Sequence, residues 1–488
     1  MKKLIDLVKN IPTVSVTGNL NIPILEISFD SRNVNPGTVF VAIRGTASDG
    51  HTYIADAVRK GVSAVICEEI PDAIRQDVTF IIVEDTASAL GMICAEFYDN
   101  PSQALTLVGI TGTNGKTTTA TLLYELFRKM GYKAGLISTV ANYIDGQQSE
   151  ATLTTPDALQ LNKLMAQMVR QGCEYCFMEV SSHAIVQQRI AGLHFAGGVF
   201  TNLTHEHLDY HKTFADYRDA KKAFFDNLPE TAFALVNKDD RNGMIMVQNT
   251  KASVKTFAMK SMADFRCRLV ENDFEGMLLH IDTREAWMQL IGEFNACNML
   301  AVYAVAVLMG QKPEETLTAM STLKPVDGRF EVIRSDNGVT AIVDYAHTPD
   351  ALENVLKTIR GVLSSQQSGQ IITVVGCGGD RDKTKRPAMA KIAVAGSSRV
   401  ILTSDNPRSE EPEEIINDML AGLSAEQRRN SLAITDRREA IRAACMMAAP
   451  GDVVLVAGKG HETYQIVKGV RSHFDDREII KNELKIIN

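Results

Sequence analysis

The sequence is poor in the features that build membrane spans, secretion signals and nucleic-acid surfaces. It has one tryptophan and 6% aromatic residues in 488, and no apolar run reaches the roughly 20 residues that a membrane span needs. Asp6 and Lys9 interrupt the apolar stretch near the N-terminus, which disfavours a secretory signal. A net charge of -8 disfavours non-specific binding of nucleic acid. We therefore expect a cytoplasmic protein that neither enters a membrane nor binds nucleic acid.

The eight cysteines are too scattered to indicate a disulfide framework. In a cytoplasmic protein they are expected to be reduced thiols. Cys173 and Cys176 form one Cys-x-x-Cys pair, but a structural zinc site normally needs a second pair of ligands at suitable spacing. The pattern therefore disfavours a structural metal or a redox role for this pair.

The pattern of apolar segments predicts an α/β protein with three domains, in keeping with about 150 residues per domain. Residues 1–103 mix short strands and helices and indicate a small mixed α/β domain. Residues 104–326 and 327–488 each alternate strands with helices, which predicts a central P-loop-type parallel sheet and a C-terminal Rossmann-like domain. Pro101 favours a non-helical linker between the first two domains.

A glycine-rich loop at 112–117 is the sharpest chemical signal in the chain. It follows an apolar strand and opens a helix, so its backbone N–H groups and the helix N-terminus favour a bound phosphate. Lys116 would reach the outer phosphates and the hydroxyl of Thr117 would bind Mg²⁺. The common phosphate-loop pattern has glycine where this chain has Ile110, so a glycine-rich turn with a chance lysine stays the alternative.

Polar residues beyond this loop indicate an active site with a metal ion. Glu179 ends an apolar strand, where a carboxylate lies on the ligand side of an open sheet and suits Mg²⁺, although a structural ion pair is the alternative. Residues 201–211 hold three histidines, which favours an active-site loop over solvated histidines or a zinc site. From the residues alone, Lys221 and Lys222 are most simply the solvated face of a helix.

Three motifs together resemble the Mur ligases: residues 111–117, 178–183 and 207–211. Residues 344–349, 376–382, 405–408 and 458–462 resemble the diaminopimelate-adding branch of that family. The resemblance runs in the family's order from 30–32 to 462. Folylpolyglutamate synthase lacks the uridine domain with residues 30–32, and the ligase that adds D-alanyl-D-alanine lacks this form of 405–408. A non-catalytic nucleotide-binding scaffold would tolerate loss of Glu179, His207 and Lys221, and all three are present.

The resemblance implies an ATP-dependent amide-bond-forming ligase of peptidoglycan precursor synthesis, and hence of cell wall biogenesis, cell shape and cell division. It would add meso-2,6-diaminopimelate to UDP-N-acetylmuramoyl-L-alanyl-D-glutamate through an acyl phosphate. It implies a UDP-binding domain at 1–103, an ATP-binding domain at 104–326 and an amino-acid-binding domain at 327–488. The partners would be these small molecules only, and we expect a monomer.

The resemblance also implies which residues act on ATP and on Mg²⁺. The catalytic residues would be Lys116, Glu179, His207 and Lys221, with Lys221 modified to N6-carboxylysine. The ligands of Mg²⁺ would be Thr117, Glu179, His207 and the carbamate on Lys221. The ATP-binding residues would be Gly112, Thr113, Asn114, Gly115, Lys116, Thr117, Thr118, Asn295, Asn298, Arg329, Asp344 and His347.

Two further sets are implied for the substrates that are joined. The UDP-muramoyl dipeptide would be bound by Ser31, Thr154, Thr155, Ser181, Gln187 and Arg189. Diaminopimelate would be bound by Arg381, Asp405, Asn406, Pro407, Arg408, Gly458 and Glu462. Arg408 would hold the distal carboxylate with two parallel hydrogen bonds and Glu462 would pair with the distal ammonium. The alternative for Arg408 is a surface arginine after a turn.

Overall fold

The computed structural model describes residues 2–45, 48–69, 77–151, 153–206, 208–366 and 369–485. Parallel sheets with helices between their strands make up these ranges, which confirms the predicted α/β class. Within the same ranges, no helix combines the length and the apolar character that crossing a membrane requires. The boundaries of the three domains stay a prediction, and the elements are given below in chain order.

The first elements build a five-stranded sheet in the order β2-β7-β6-β5-β4 within the described part of the chain. Alternate residues of β5 face opposite sides, so Val39 and Val41 pack against α3 and Phe40 packs against α2. The strands are β1 (Lys2–Lys3), β2 (Thr13–Thr17), β3 (Pro23–Ile24), β4 (Glu26–Ser28), β5 (Thr38–Val41), β6 (Ala64–Cys67) and β7 (Thr79–Val83). The helices are α1 (Leu4–Val8), α2 (Ile54–Arg59), α3 (Thr86–Phe97) and α4 (Pro101–Ala104), with a 3-10 turn at Gly50–Tyr53.

The expected non-helical linker at Pro101 is wrong. Pro101 is the first residue of α4, because the fixed φ of proline suits the first helical position and its missing N–H costs nothing there. The sharp entry is made one residue earlier, where Asn100 takes a left-handed conformation with φ 50°.

The next elements build the largest sheet, in the order β11-β10-β9-β12-β8-β13-β14-β15-β16-β17-β18 for the residues described. The pairings from β9 through β16 are parallel, and β8 lies between β12 and β13. The strands are β8 (Thr106–Thr111), β9 (Ala134–Ile137), β10 (Asn142–Ile144), β11 (Gln147–Ser149), β12 (Tyr175–Glu179), β13 (Gly197–Phe200), β14 (Phe233–Asn237), β15 (Ser253–Ala258), β16 (Phe265–Asp273), β17 (Gly276–Ile281) and β18 (Arg284–Met288).

The helices of this region differ from expectation at its end. The sequence predicts a helix at residues 294–309 as the last element of this region. The structure has α11 there and a further helix, α12, after it, and the antiparallel strands β17 and β18 before α11 were not predicted. The helices are α5 (Lys116–Lys129), α6 (Ala158–Arg170), α7 (Ser182–Val186), α8 (Leu208–His211), α9 (Phe214–Asp226), α10 (Gly243–Met246), α11 (Glu293–Leu308) and α12 (Pro313–Met320).

The last elements build a six-stranded sheet in the order β19-β20-β24-β21-β22-β23, again for the residues described. All its pairings are parallel except β19 with β20. The strands are β19 (Glu331–Arg334), β20 (Thr340–Asp344), β21 (Ile371–Cys377), β22 (Arg399–Ser404), β23 (Ser431–Ala433) and β24 (Val453–Ala457), with a hairpin of β25 (Tyr464–Val467) and β26 (Val470–His473). The helices are α13 (Pro349–Gln366), α14 (Lys385–Gly396), α15 (Pro412–Ala421), α16 (Ala425–Arg429), α17 (Arg437–Met447) and α18 (Asp476–Glu483).

Candidate active site

A cavity of ≈ 1200 Å³ lies between the carboxyl ends of the central and the C-terminal sheets. Ligands of open α/β sheets bind at this edge, because the strand ends and the helix N-termini meet there. The cavity brings together most of the predicted site residues: Thr113, Asn114, Gly115, Lys116, Thr117, Thr118, Thr154, Thr155, Glu179, Ser181, Arg189, Lys221, Asn298, Arg329, Asp344, His347, Arg381, Asp405, Asn406, Arg408, Gly458 and Glu462.

The remaining predicted residues lie elsewhere. His207 lies outside the described residues. Four other predicted residues are next to residues of the cavity wall, along the chain or through a contact, but do not line the cavity themselves: Gly112, Gln187, Asn295 and Pro407. Ser31 lies in a turn between β4 and β5 of the N-terminal sheet, where its carbonyl accepts a hydrogen bond from Lys60 Nζ over 2.7 Å.

The phosphate loop joins β8 to α5 and requires glycine where the helix begins. Gly115 has φ +87°, and a Cβ atom on it would lie 2.5 Å from Asn298 Oδ1 on α11. Asn298 in turn donates to Asn295 Oδ1 over 3.3 Å. The two asparagines therefore support the loop from behind, and the N-terminus of α5 opens toward the cavity.

Two lysine side chains meet on one backbone oxygen of this loop. Lys116 Nζ and Lys221 Nζ each donate to the carbonyl of Gly112 over 2.9 Å. Burial lowers the pKa of Lys221 well below its usual value, and the charge of Lys116 lowers that pKa further. Lys221 is 1% exposed, so the solvated-face interpretation is wrong for it, whereas Lys222 pairs with Asp226 over 2.7 Å.

Glu179 ends β12 with its carboxylate fully buried beside the phosphate loop. Its Oε1 accepts from the backbone N–H of Thr139 over 2.7 Å, while Oε2 has no hydrogen-bond partner within the described ranges. Because a buried carboxylate oxygen is normally satisfied, this arrangement fits a divalent cation better than a purely structural role.

Among the described residues, no group of three or more His, Cys, Asp or Glu side chains is arranged to hold a metal ion. The predicted ligand set is not such a group, since His207 is outside those residues and Lys221 becomes an oxygen ligand only after carbamylation. Of the other loop histidines, His205 lines the cavity and His211 is buried with Nε2 2.9 Å from Ser182 Oγ.

Contacts between the central domain and the C-terminal domain close the nucleotide end of the cavity. Arg329 donates to Thr117 Oγ1 over 3.2 Å and lies 4.3 Å from the centroid of the Tyr345 ring. Asp344 accepts the backbone N–H groups of Phe330 and Ala346, and burial raises its pKa.

Two partners at this end were missed by the sequence analysis. Asn114 Nδ2 donates to Asp350 Oδ2 over 2.8 Å, and His347 Nε2 lies 3.3 Å from Glu206 Oε1. Asp350 directly follows the motif at 344–349, and Glu206 lies within the histidine loop at 201–211. Both therefore lie in segments that the sequence had marked, but neither pairing is visible in local spacing.

The predicted acceptor contacts form one hydrogen-bonded group around the end of β12. Thr155 Oγ1 donates to the carbonyl of Glu179 over 2.8 Å and accepts from the N–H of Ser181 over 3.1 Å. Arg189 donates to the carbonyl of Thr155 over 2.7 Å and to Gln187 Oε1. Thr154 accepts from Thr139 Oγ1 over 3.0 Å. The backbone that carries Glu179 is thereby held at the acceptor side of the cavity.

The opposite end of the cavity carries the predicted amino-acid contacts. Arg408 has φ 55° and donates from Nη1 to the carbonyl of Gly379 over 2.6 Å, so its guanidinium lies in the cavity wall. Glu462 Oε2 accepts from Asn406 Nδ2 over 2.7 Å and from Lys459 Nζ over 2.9 Å. Lys459 was not singled out by the sequence analysis, although it lies inside the motif at 458–462.

Three family models match successive parts of the chain. They are the Mur ligase family, catalytic domain over residues 23–98, the Mur ligase middle domain over 110–306, and the Mur ligase, glutamate ligase domain over 328–460. The UDP-N-acetylmuramoyl-L-alanyl-D-glutamate–2,6-diaminopimelate ligase of Bacteroides thetaiotaomicron is 58% identical over 476 residues, with 98% of each chain covered. The enzyme of that name from Clostridioides difficile is 42% identical over 484 residues, again with 98% of each covered.

Solved structures show the same relationship. A UDP-N-acetylmuramoyl-L-alanyl-D-glutamate–2,6-diaminopimelate ligase aligns with a TM-score of 0.70 and 31% identity over 99% of both chains. The D-alanyl-D-alanyl ligase of Acinetobacter baumannii, at 18% identity, 89% and 90% coverage and a TM-score of 0.60, shares the fold. Because the family models span most of the sequence and a relative is more than half identical along nearly its whole length, this chain belongs to the Mur ligase family.

Proposed function

We propose that this chain is an ATP-dependent ligase that adds meso-2,6-diaminopimelate to UDP-N-acetylmuramoyl-L-alanyl-D-glutamate in peptidoglycan precursor synthesis. The observation that carries the proposal is one continuous cavity with a phosphate loop at one end and Arg408 beside Glu462 at the other. The printed names of the relatives at 42–58% identity support the same reaction. The domain roles follow: UDP is bound by residues 1–103, ATP by 104–326 and the amino acid by 327–488.

The reaction gives an unreactive carboxylate a leaving group. An oxygen of the acceptor's D-glutamate side chain attacks the γ-phosphorus of ATP, and ADP leaves with the electron pair of the broken bond. The amine of diaminopimelate then attacks the acyl carbon, and phosphate leaves from the tetrahedral intermediate. Lys116 and the N–H groups of the loop at 112–117 offset the repulsion between the two anions in the first step.

Mg²⁺ fits the unpartnered oxygen of Glu179, and Thr117, His207 and a carbamate on Lys221 would complete the protein's ligands. When bound, the ion neutralises charge on the phosphate oxygens. The buried amine of Lys221 suits carbamylation, because only the neutral amine reacts with CO₂ and burial lowers its pKa. The modification replaces a cation beside the phosphate loop with an anion that can bind the metal.

Recognition of the added amino acid is assigned to the wall that holds Arg408 and Glu462. Diaminopimelate carries a carboxylate and an ammonium at its distal end, whereas lysine carries only the ammonium. A guanidinium binds a carboxylate through two parallel hydrogen bonds, so Arg408 favours diaminopimelate. Arg381, Asp405, Asn406 and Gly458 complete this wall.

Release of phosphate from ATP tests the proposed reaction. We expect the purified protein to release phosphate only when the muramoyl dipeptide and diaminopimelate are both present, and Lys116→Ala to abolish turnover. With ¹⁸O in the acceptor carboxylate, one label should appear in the released phosphate. Released phosphate without the label would contradict an acyl-phosphate intermediate. Release of phosphate in the absence of the acceptor, at the same rate as in its presence, would contradict ligase activity.

Competition between amino acids tests the assignment of Arg408. We expect the enzyme to prefer diaminopimelate over lysine, and Arg408→Met to lose most of that preference, about 1–3 kcal/mol for a charge-assisted hydrogen bond. The matched control is Arg442→Met, an exposed arginine on α17. Equal use of lysine and diaminopimelate by the unmodified enzyme would refute the specificity.

A further inference from the structure

A buried ammonium group lies directly behind the acidic part of the amino-acid wall. Lys459 follows β24, and its side chain is 0% exposed. Its Nζ donates to Glu462 Oε2 over 2.9 Å and to Asn406 Oδ1 over 3.2 Å, and it lies 5.5 Å from the centroid of the Tyr464 ring. Because Lys459 does not line the cavity, it can act on a ligand only through the side chains in front of it.

The hydrogen bonds around Lys459 determine how Asn406 is turned. Asn406 Oδ1 accepts from Lys459 Nζ and from the backbone N–H of Ile466 over 3.0 Å, while Nδ2 donates to Glu462 Oε2 over 2.7 Å. Two donors on one atom require that atom to be the oxygen, so the amide has a single acceptable orientation. Both ends of the Asn406 amide are thus used within the protein, and its effect is to hold Glu462.

The same geometry leaves one oxygen of Glu462 for a ligand. Oε2 already receives donors from both Asn406 and Lys459. A carboxylate has two oxygens and several acceptor positions, so an ammonium arriving from the cavity would be bound by Oε1.

The charges at this end of the pocket also favour one added cation. Asp405 is buried, and the positive charges of Lys459 and Arg437 outweigh the effect of burial and hold its pKa below the usual value. Arg437 is itself neutralised by Asp476 in a fully buried ion pair of 2.7 Å. The carboxylates of Asp405 and Glu462 therefore suit the ammonium of a ligand, while Arg381 and Arg408 in the same wall suit its carboxylates.

We propose that Lys459 is a positioning residue that makes the pocket specific for an amino acid with a distal ammonium, by holding Glu462 toward the cavity and by placing a positive charge behind Asp405 and Glu462. The proposal rests on the proposed function, because it takes the distal head of diaminopimelate as the ligand of Glu462. It adds a residue that touches no substrate and whose effect is confined to the amino-acid step.

Lys459→Met tests the proposal, because methionine keeps the length of the side chain without its charge or its donors. We expect KM for diaminopimelate to rise tenfold or more, about the loss of one charged hydrogen bond, while KM for ATP and for the acceptor nucleotide changes less than twofold. Lys391→Met, an exposed lysine on α14, is the matched control and should leave all three KM values unchanged.

The dependence on pH separates this role from simple structural support. The groups that act on Glu462 are Tyr345, Arg437, Lys459 and Tyr464. Those that act on Asp405 are Lys459, Arg437, Asn406 and His347. Without Lys459, the buried carboxyl group of Asp405 holds a proton to higher pH, because the charge of Lys459 lowers the pKa of Asp405 in the unmodified enzyme. The ratio of KM for diaminopimelate in Lys459→Met to that in the unmodified enzyme should therefore fall as pH rises from about 6 to 8, where the ligand amines stay protonated. A ratio independent of pH would overturn the proposal.

A second pair of variants keeps the test decisive if Lys459→Met does not fold. Glu462→Gln and the double variant Lys459→Met/Glu462→Gln lack the carboxylate that Lys459 is said to hold. Removing both charges of a buried pair is tolerated better than removing one. We expect the two variants to have KM values for diaminopimelate within twofold of each other. A double variant far weaker than Glu462→Gln would overturn the proposal. Failure of the unmodified enzyme to release phosphate would instead refute the proposed function.

Discussion

Side chains that carry charge in water are buried at the centre of this site. Glu179, Lys221 and Lys459 each expose 1% or less of their surface. Burying an ion without a partner is costly, so such residues persist where a partner or a ligand offsets the cost. Lys459 has its partner in the protein, whereas Glu179 Oε2 has none in the described residues and Lys221 contacts a carbonyl. The last two residues are therefore the ones that a metal and a carbamate would complete.

Carbamylation of Lys221 can be observed directly. We expect protein equilibrated with ¹³C-bicarbonate to show a carbamate signal by NMR that is lost in Lys221→Met. The signal should persist to lower pH than for an exposed lysine, because the lowered pKa of Lys221 keeps its amine neutral. Activity should fall by about 100-fold or more, as when other groups that stabilise transition-state charge are removed.

Lys222→Met is the matched control for this experiment. Lys222 is the next residue on α9, and its Nζ donates to Asp226 rather than to the phosphate loop. It should keep both the carbamate signal and the activity. A signal that survives in Lys221→Met and disappears in Lys222→Met would show that the wrong lysine had been assigned.

At the scale of elements, the site depends on how α5 begins. The helix starts directly after Gly115, whose positive φ and contact with Asn298 leave no room for a side chain. The other end of α5 is followed by Gly131, which has a similar φ of +93° with nothing within 4 Å of a Cβ atom. The two glycines have the same backbone requirement but different surroundings. Substituting each in turn therefore distinguishes the effect of backbone strain, which both would share, from the effect of a steric clash, which only Gly115 would have.

Gly115→Ala should therefore impair nucleotide binding more than Gly131→Ala. Strained backbone of this kind costs about 1–3 kcal/mol, and at Gly115 the added methyl group also displaces Asn298. We expect KM for ATP to rise about tenfold or more for Gly115→Ala and to change little for Gly131→Ala, as measured by steady-state kinetics. Thermal unfolding of the two variants checks that both are folded. Equal effects on KM would contradict the steric argument.

At the scale of the whole molecule, the cavity exists because two domains close on each other. At the cavity the contacts between them are polar: Asn114 with Asp350, Glu206 with His347, and Thr117 with Arg329. Beside the cavity, the Phe294 ring of α11 packs against Phe330, with ring centroids 5.9 Å apart. An acyl phosphate must be kept from water, so closure before the amine attacks protects the intermediate. Polar contacts of about 1 kcal/mol each allow the domains to open again for product release.

Asp350→Ala should shift the enzyme toward an open form. Loss of one hydrogen bond of about 1 kcal/mol changes the ratio of closed to open molecules about fivefold, which energy transfer between dyes on the central and C-terminal domains would detect. Hydrolysis of ATP without amide formation should rise, because water reaches the acyl phosphate. Glu353→Ala, an exposed residue on the same helix, is the control. An unchanged dye distance in Asp350→Ala would contradict the role of this contact.

Local patterns in the sequence were sufficient for much of the fold and of the site. The order of strand, glycine-rich loop and helix at β8 and α5 depends on neighbouring residues, so it is readable directly. The same is true of Thr348-Pro349, a pattern typical of a helix start, and Thr348 caps α13 through a hydrogen bond from the N–H of Ala351 over 3.3 Å. The strands β17 and β18 and the helix α4 were missed, because short segments are decided by their tertiary neighbours rather than by local preference.

The sequence by itself determined the class of fold, the family and the motifs that carry the chemistry. Only the tertiary structure decided which charges are buried and what they contact. Lys221 reaches Gly112 across 109 residues and Asn114 reaches Asp350 across 236, so no local spacing encodes either pairing. Burial and pKa are properties of the surrounding packed atoms, and these are brought together only when the sheets and their helices assemble.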